Sequence, residues 1–421
     1  MRRTFWVWLH RWMGLTMAGF LVIVGLTGSA LAFFGELDHW LNPELFMVAR
    51  QSAPLLDPLT LRERAEAFDP QGRADVVPLR IGDSTSVEFD LAPRVDPATG
   101  ANYDLKFTQL FLNPYTGETL GARKWGEASL ARQNILPFLF RLHTSLALPG
   151  AAQSWGALFL GAIALLWTID CFVSFYLTFP VSGQASRSKS WLDRWSVAWR
   201  IKVGSGAFRL NFDIHRAFGL WTWAMLFIFA WSSVGFNLPA VFNPTMDALF
   251  ASPTPPGAAP EQSSLRAEWT PRLDWPAALA RGRELFSQQS IARELVVAQE
   301  SAFALDRENH AYIIVVDAPG SESDESLVTI VFDADSGALR EAQWTRDARP
   351  SLKSTVTQWL FALHMARVFG LPMKIFVFLM GGIIAALSFT GVYLWWKKRG
   401  ARAYRRDAAA LQLAVNRGRR S

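Results

Sequence analysis

Leu9-His10-Arg11-Trp12-Met13-Gly14-Leu15 returns as Ile214-His215-Arg216-Ala217-Phe218-Gly219-Leu220, and each copy opens a long apolar run, Trp12 to Phe34 and Phe218 to Leu238. Two further runs, Trp155 to Phe179 and Met373 to Trp396, follow a second landmark, Arg141-Leu142-His143 and Ala362-Leu363-His364. A hydrocarbon core about 30 Å thick needs roughly 20 apolar residues to be crossed by a helix, and all four runs qualify. The chain therefore reads as an α-helical membrane protein with four transmembrane helices, built as a tandem repeat of helix, domain, helix. Both halves insert in the same sense, and parallel repeats of this kind place a shared site between the halves.

Composition agrees, with 51% hydrophobic residues and 19 tryptophans. Trp6, Trp8, Trp12, Trp40, Trp221, Trp223, Trp395 and Trp396 lie near the ends of the runs, where an amphipathic ring keeps its body apolar and its N–H wet. Arg2 and Arg3 before the first run, and Ala30-Leu31-Ala32 within it, imitate a signal peptide. The run is longer than an h-region of about 7 to 15 residues, so retention is expected.

Lysine and arginine in the short connections set the orientation. The loop from Val181 to Arg209 carries Arg187, Lys189, Arg194, Arg200, Lys202 and Arg209 against Asp193 alone. The tail holds Lys397, Lys398, Arg399, Arg402, Arg405, Arg406, Arg417, Arg419 and Arg420, whereas the two long connections hold more acids than bases. Both termini and the middle loop are thus expected in the cytoplasm, and both long lobes in the periplasm of a bacterium with an inner membrane. The net charge of +6 is a topology signal directed at the lipid bilayer, and no nucleic acid is implied.

The expected organisation is helix one with its cytoplasmic N-terminus over 1–38, a first lobe over 39–134, and a pre-helix with helix two over 135–180. The basic loop over 181–209, helix three over 210–240 and a second lobe over 241–350 follow. A pre-helix with helix four over 351–397 and the basic tail over 398–421 complete the chain. The lobes read as α+β. In the first, Asp57 to Ala67 patterns as a helix, and Thr85 to Leu91 and Lys106 to Leu112 as strands; in the second, Pro276 to Phe286 as a helix, and Ala311 to Asp317 and Leu327 to Asp333 as paired strands. Phe111-Leu112-Asn113-Pro114-Tyr115-Thr116-Gly117-Glu118 answers Val331-Phe332-Asp333-Ala334-Asp335-Ser336-Gly337-Ala338, in each case a strand entering a turn whose glycine supplies a positive φ. Pro253 to Gln262 has the composition of a linker. The single cysteine, Cys171, lies inside the second run, so neither lobe contains a disulfide.

The histidines carry the chemistry. His10 and His215 begin helices that run outward, and His143 and His364 precede helices that run inward, so depth pairs His10 with His215 and His143 with His364. Two neutral imidazoles on facing helices saturate an iron axially and favour electron transfer over ligand binding. Two b-type haems, one per face, are expected; no Cys-x-x-Cys-His is present for covalent attachment. Arg11, Arg216, Arg141 and Arg367 are placed to meet propionates with a two-pronged fork; anchoring of helix ends to lipid phosphates is the other reading. His39 is a rival ligand for the outer site, and His310 reads as ordinary surface. The bland reading of all four interfacial histidines is a solvated polar residue. Pro149-Gly150 and Gly370-Leu371-Pro372 break the helix after His143 and His364, which puts both on short helices outside the spans. Asp170, mid-helix in the second run, is costly there unless paired or wetted and reads as a proton or packing element.

His-Arg-x-x-Gly-Leu opening a membrane helix, Leu26-Thr27-Gly28, the segment Asp38 to Pro43, the strand-turn-glycine of the lobes, and Leu-His before the even-numbered helices together resemble the PepSY-associated transmembrane-helix family. Within it the chain is similar to the inner-membrane di-haem reductases of ferric siderophores, of ferrioxamine type. The resemblance implies two periplasmic PepSY-like domains, a ferric siderophore as substrate, an electron donor of unknown identity and a role in iron uptake. The Thr-Gly of helix one recurs as Thr390-Gly391 in helix four, but is Ser232-Ser233 in helix three and Asp170-Cys171 in helix two. A non-enzymatic PepSY module binding a peptide or restraining a protease, and an iron or siderophore transporter, are the competing functional classes.

Overall fold

The computed structural model describes residues 3–129, 131–181, 190–250, 269–291, 299–317, 326–344 and 351–418. The expected linker Pro253 to Gln262, Arg187, Lys189, Arg419 and Arg420 lie outside the described residues. The helices are α1 (Arg3–Leu31), α2 (Phe34–Leu41), α3 (Pro43–Phe46), α4 (Pro58–Phe68), α5 (Ile135–Ser145), α6 (Ala152–Thr178), α7 (Trp191–Ser196), α8 (Ala207–Trp221), α9 (Trp223–Asn237), α10 (Pro239–Phe250), α11 (Trp275–Ile291), α12 (Leu352–His364) and α13 (Gly370–Gly418). The strands are β1 (Gly72–Arg73), β2 (Val76–Pro78), β3 (Val87–Asp90), β4 (Ala92–Pro93), β5 (Gln109–Leu112), β6 (Thr119–Arg123), β7 (Gln299–Asp306), β8 (Ala311–Asp317), β9 (Ser326–Asp333) and β10 (Leu339–Trp344). They divide into a helical unit (1–34, 139–253 and 352–421) and a sheet unit (35–138 and 254–351).

In the helical unit α1, α6 and the first 31 residues of α13 are long and apolar enough to cross a membrane. The third span departs from expectation: Phe218 to Leu238 is not one straight helix, because α8 and α9 meet at a 68° bend. Thr222 lies between them at φ −103°, ψ 6°, and both its N–H and its hydroxyl donate to the Phe218 carbonyl. What breaks the helix is the Thr222 backbone, whose ψ lies outside the helical range, and the Trp221 and Trp223 indoles pin the two arms by donating to the Trp199 and Cys171 carbonyls. Among the described residues three helices are therefore able to span a membrane, with a fourth span if the bent pair counts as one.

Burial in α1 recurs every three or four residues at Met13, Met17, Leu21, Gly25 and Ser29, while Trp8, Trp12 and Leu26 stay exposed. One face of α1 is thus packed, large apolar side chains first and the small residues Gly25 and Ser29 farther along, and small residues are what let helices approach closely inside lipid. Gly25 and Gly381 face each other so closely that a Cβ on Gly381 would collide with both the Gly25 carbonyl oxygen and Ser29 Oγ. Ser29 closes the contact by donating to the Phe378 carbonyl at 2.7 Å. The expected breaks are present: α5 and α12 are separate short helices, and each ends in left-handed residues, Leu146 and Ala147 in one case and Ala366 in the other.

The sheet unit bears out the expected strands and turns. Asp57 caps α4 by accepting from Leu59 N and Thr60 N ahead of Pro58, and β8 pairs with β9 from Ala311↔Asp333 onward. Gly117 and Gly337 both take positive φ, +72° and +70°, and each donates its N–H four residues back, to Asn113 and Asp333. The repeat did not reveal that the lobes share a sheet. Strand order is β10-β9-β8-β7-β2 in one sheet and β3-β5-β6 in another, with Val76↔Ala304 and Pro78↔Ala302 joining first-lobe β2 to second-lobe β7. One core follows, in which Leu61, Phe89 and Leu110 pack with Phe303, Tyr312 and Phe332.

Candidate functional site: two histidine pairs

The four histidines meet in the two pairs expected from depth. His10 on α1 and His215 on α8 have ring centroids 6.1 Å apart; His143 on α5 and His364 on α12 have theirs 6.4 Å apart. Each ring is gripped through Nδ1 by a side chain of another helix. Asp170 on α6 holds His10 through both carboxylate oxygens, at 2.8 and 3.0 Å. Thr27 on α1 holds His143 at 3.0 Å, Ser232 on α9 holds His364 at 2.6 Å, and Thr390 on α13 holds His215 at 3.0 Å, with the Leu387 carbonyl beside it at 3.1 Å.

One tautomer satisfies every one of these hydrogen bonds. Thr27, Ser232 and Thr390 each donate the hydroxyl proton to the carbonyl four residues back, at Ile23, Ile228 and Ala386. The hydroxyl oxygen is then an acceptor, so Nδ1 carries the proton, as it must also against a carboxylate or the Leu387 carbonyl. Nε2 of all four rings is left with its lone pair, and among the described residues it makes no hydrogen bond. An imidazole held through one nitrogen and bare at the other is the form of a metal ligand.

The separations fit a shared metal: at about 2 Å per metal–nitrogen bond, two opposed imidazoles have centroids about 6 Å apart. Among the described residues no group of three or more His, Cys, Asp or Glu could hold a metal ion. Two ligands per site are too few for a bare ion, which takes four or more, and they match haem, whose macrocycle fills the other four positions. Glycine makes room for two of the rings, since a Cβ at Gly28 would stand 3.0 Å from His143 Cε1 and one at Gly391 3.3 Å from His215 Cε1. An apolar groove between α8 and α13, lined by Ile214, Phe218, Ile383, Ala386 and Leu387, adjoins His215.

The arginines are more dispersed. Arg216 donates to the Val197 carbonyl and to buried Asp213, and Arg141 to the Leu148 carbonyl. Arg11 follows His10 on α1, half-buried, and Arg367 lies exposed in the turn after α12. His39 belongs to the sheet unit, with Nδ1 on the Gly35 carbonyl and its ring 4.2 Å from that of Phe46. His310 stacks on Trp269 with 4.2 Å between ring centroids.

Residue-by-residue reading missed the roles of Thr27, Asp170, Ser232 and Thr390, although the signal was present as one recurring helix position. It also missed Arg123, the buried partner of Asp38: the two pair at 2.8 Å with each side chain 2% exposed, and Asn42 donates to the other Asp38 oxygen. That ion pair gives the Asp38 to Pro43 segment its purpose, tying the start of the sheet unit to β6.

The sequence pattern of the PepSY-associated TM region matches residues 7–398. The chain belongs to this family. The match takes in all four histidines and their four anchors, so the PepSY-associated TM assignment and the paired geometry cover the same part of the chain. No match is found among curated proteins. With its apolar helices, this PepSY-associated TM protein is a multi-pass membrane protein.

Proposed function

We propose that the chain is a di-haem oxidoreductase of the bacterial inner membrane that passes electrons to a ferric siderophore in the periplasm, releasing ferrous iron for uptake. The observation that carries this reading is the pair of bis-histidine sites, each ring anchored through Nδ1 with Nε2 bare. Haem held there would supply one-electron transfer between its ferric and ferrous states. His10 with His215, and His143 with His364, would hold one such group per pair, and a group held by two imidazoles would serve electron transfer rather than the binding of small molecules. Seventeen positions separate His10 from Thr27, the anchor of His143, on α1. At 1.5 Å per residue this is about 25 Å of helix axis, close to the thickness of the hydrocarbon core.

The excess of lysine and arginine in the basic loop and tail supports a periplasmic position for the His143–His364 site. A ferric siderophore is too large and polar to enter the bilayer, so its reduction is assigned to that side. The test is to reduce the purified protein with dithionite, remove excess reductant, add a ferric hydroxamate, and follow haem reoxidation with capture of iron by a ferrous chelator. Reoxidation with stoichiometric ferrous capture is expected in wild type and is expected to be lost in His143→Ala and His364→Ala. A haem-loaded protein that no hydroxamate or catecholate complex reoxidises would overturn the reading.

A further inference from the structure

Three of the four anchors are neutral hydroxyls and the fourth is a carboxylate. Thr27 with Ser232, and Asp170 with Thr390, occupy equivalent places in the two repeats, and all four make the same contact with an imidazole Nδ1, yet among the described residues only the His10–His215 site has an acid behind a ligand. Asp170 is buried, its side chain 7% exposed, and among the described residues its side chain contacts no arginine or lysine; its hydrogen bonds go to His10 alone. The partner ring on that site, His215, is held by a hydroxyl and a backbone carbonyl, so the asymmetry enters through one residue.

We propose that Asp170 makes the two sites unequal in redox potential, holding the group bound by His10 and His215 below the group bound by His143 and His364. This rests on the haem reading above. A carboxylate accepting the Nδ1 proton pushes electron density into the ring and raises its basicity as a ligand. The better donor favours the more positive ferric state, and a buried negative charge in a medium of low dielectric acts in the same direction. Hydroxyls that have already given their proton to a backbone carbonyl supply much less of either effect. With haem held at both pairs, that order would make the passage of an electron from the His10–His215 site to the His143–His364 site downhill. Asp170 is thus a positioning residue acting through His10, and it gives the otherwise pseudo-symmetric repeat a direction.

The experiment measures both midpoint potentials by potentiometry of the full-length, haem-loaded protein, with His10→Ala and His364→Ala assigning each potential to its site. Asp170→Asn keeps an oxygen for the Nδ1 proton and removes the charge. It is expected to raise the lower potential by at least tenfold in the one-electron equilibrium constant, about 59 mV, and to leave the upper one in place. Thr27→Asp, which installs the acid behind His143, is expected to lower the upper potential by a similar factor. Should Asp170→Asn fail to retain haem, the Thr27→Asp shift decides. Two bound haems whose potentials coincide in wild type, or do not respond to these substitutions, overturn the inference while leaving the haem reading intact. A wild-type protein that binds no haem overturns both.

Discussion

Glu88 shows how the sheet unit handles a charge it has half buried. It lies on β3 beside Asp90, receives a hydrogen bond from Gln109 Nε2 at 2.5 Å, and Gln109 in turn accepts from Arg123 at 2.7 Å. Burial first, and Asp90 second, push its carboxyl up to about 7. A group whose folded value lies above its unfolded one stabilises the fold while protonated and loses that contribution as pH rises through the folded value. Thermal unfolding of the full chain in detergent should therefore fall between pH 5 and pH 8, and Glu88→Gln should flatten that slope; an identical slope in the variant would show that another group is responsible. The neighbouring Asp38–Arg123 pair carries more weight. Removing one partner of a buried ion pair strands the other charge and costs about 3–5 kcal/mol, so Asp38→Ala is expected to weaken the sheet unit far more than loss of the exposed Arg283–Glu300 pair.

The helices were legible in the sequence and their contacts were not. Apolar length marks α1, α6 and α13 unambiguously, and proline with glycine marks the ends of α5 and α12. The bend at Thr222 is hidden because the run from Phe218 to Leu238 is apolar throughout, and the backbone angles of one residue leave no compositional trace. The histidine pairing followed from depth alone. The anchors appeared in the sequence only as a recurring helix position without a role, since Thr27 reaches His143 across 116 positions and Asp170 reaches His10 across 160, and a recurrence does not say which ring it meets. A shared sheet between the lobes was equally invisible, because β2 is three residues long and finds its partner more than 200 positions away. The α1–α13 interface offers a test at this scale. Gly381→Val would drive a side chain into the Gly25 carbonyl and Ser29 hydroxyl, so the two helices must separate. The expected result is a lower unfolding temperature with loss of the hold that Thr27 and Thr390 have on His143 and His215. Gly382→Val, where a Cβ meets nothing within 4 Å, should be tolerated, and equal damage from both variants would contradict this account of the packing.

For the whole molecule, the repeat places two equivalent sites at opposite ends of the spans, and its meaning depends on which end faces out. Cys171 is buried, so an introduced cysteine reports cleanly. Ser190→Cys, in the basic loop, should resist an impermeant thiol reagent in intact spheroplasts and Ala98→Cys, on the sheet unit, should react; the reverse pattern would invert the proposed direction of electron flow. Beneath direction lies the claim on which everything else stands, that each histidine pair holds one haem. The measurement is the haem-to-protein ratio of the purified full-length chain together with its absorption spectrum. Two low-spin b-type haems per wild-type chain are expected, falling to one in His215→Ala and to one in His364→Ala, and staying at two in His39→Ala. A wild-type ratio near zero, or a ratio that does not change when either pair is broken, would contradict the account.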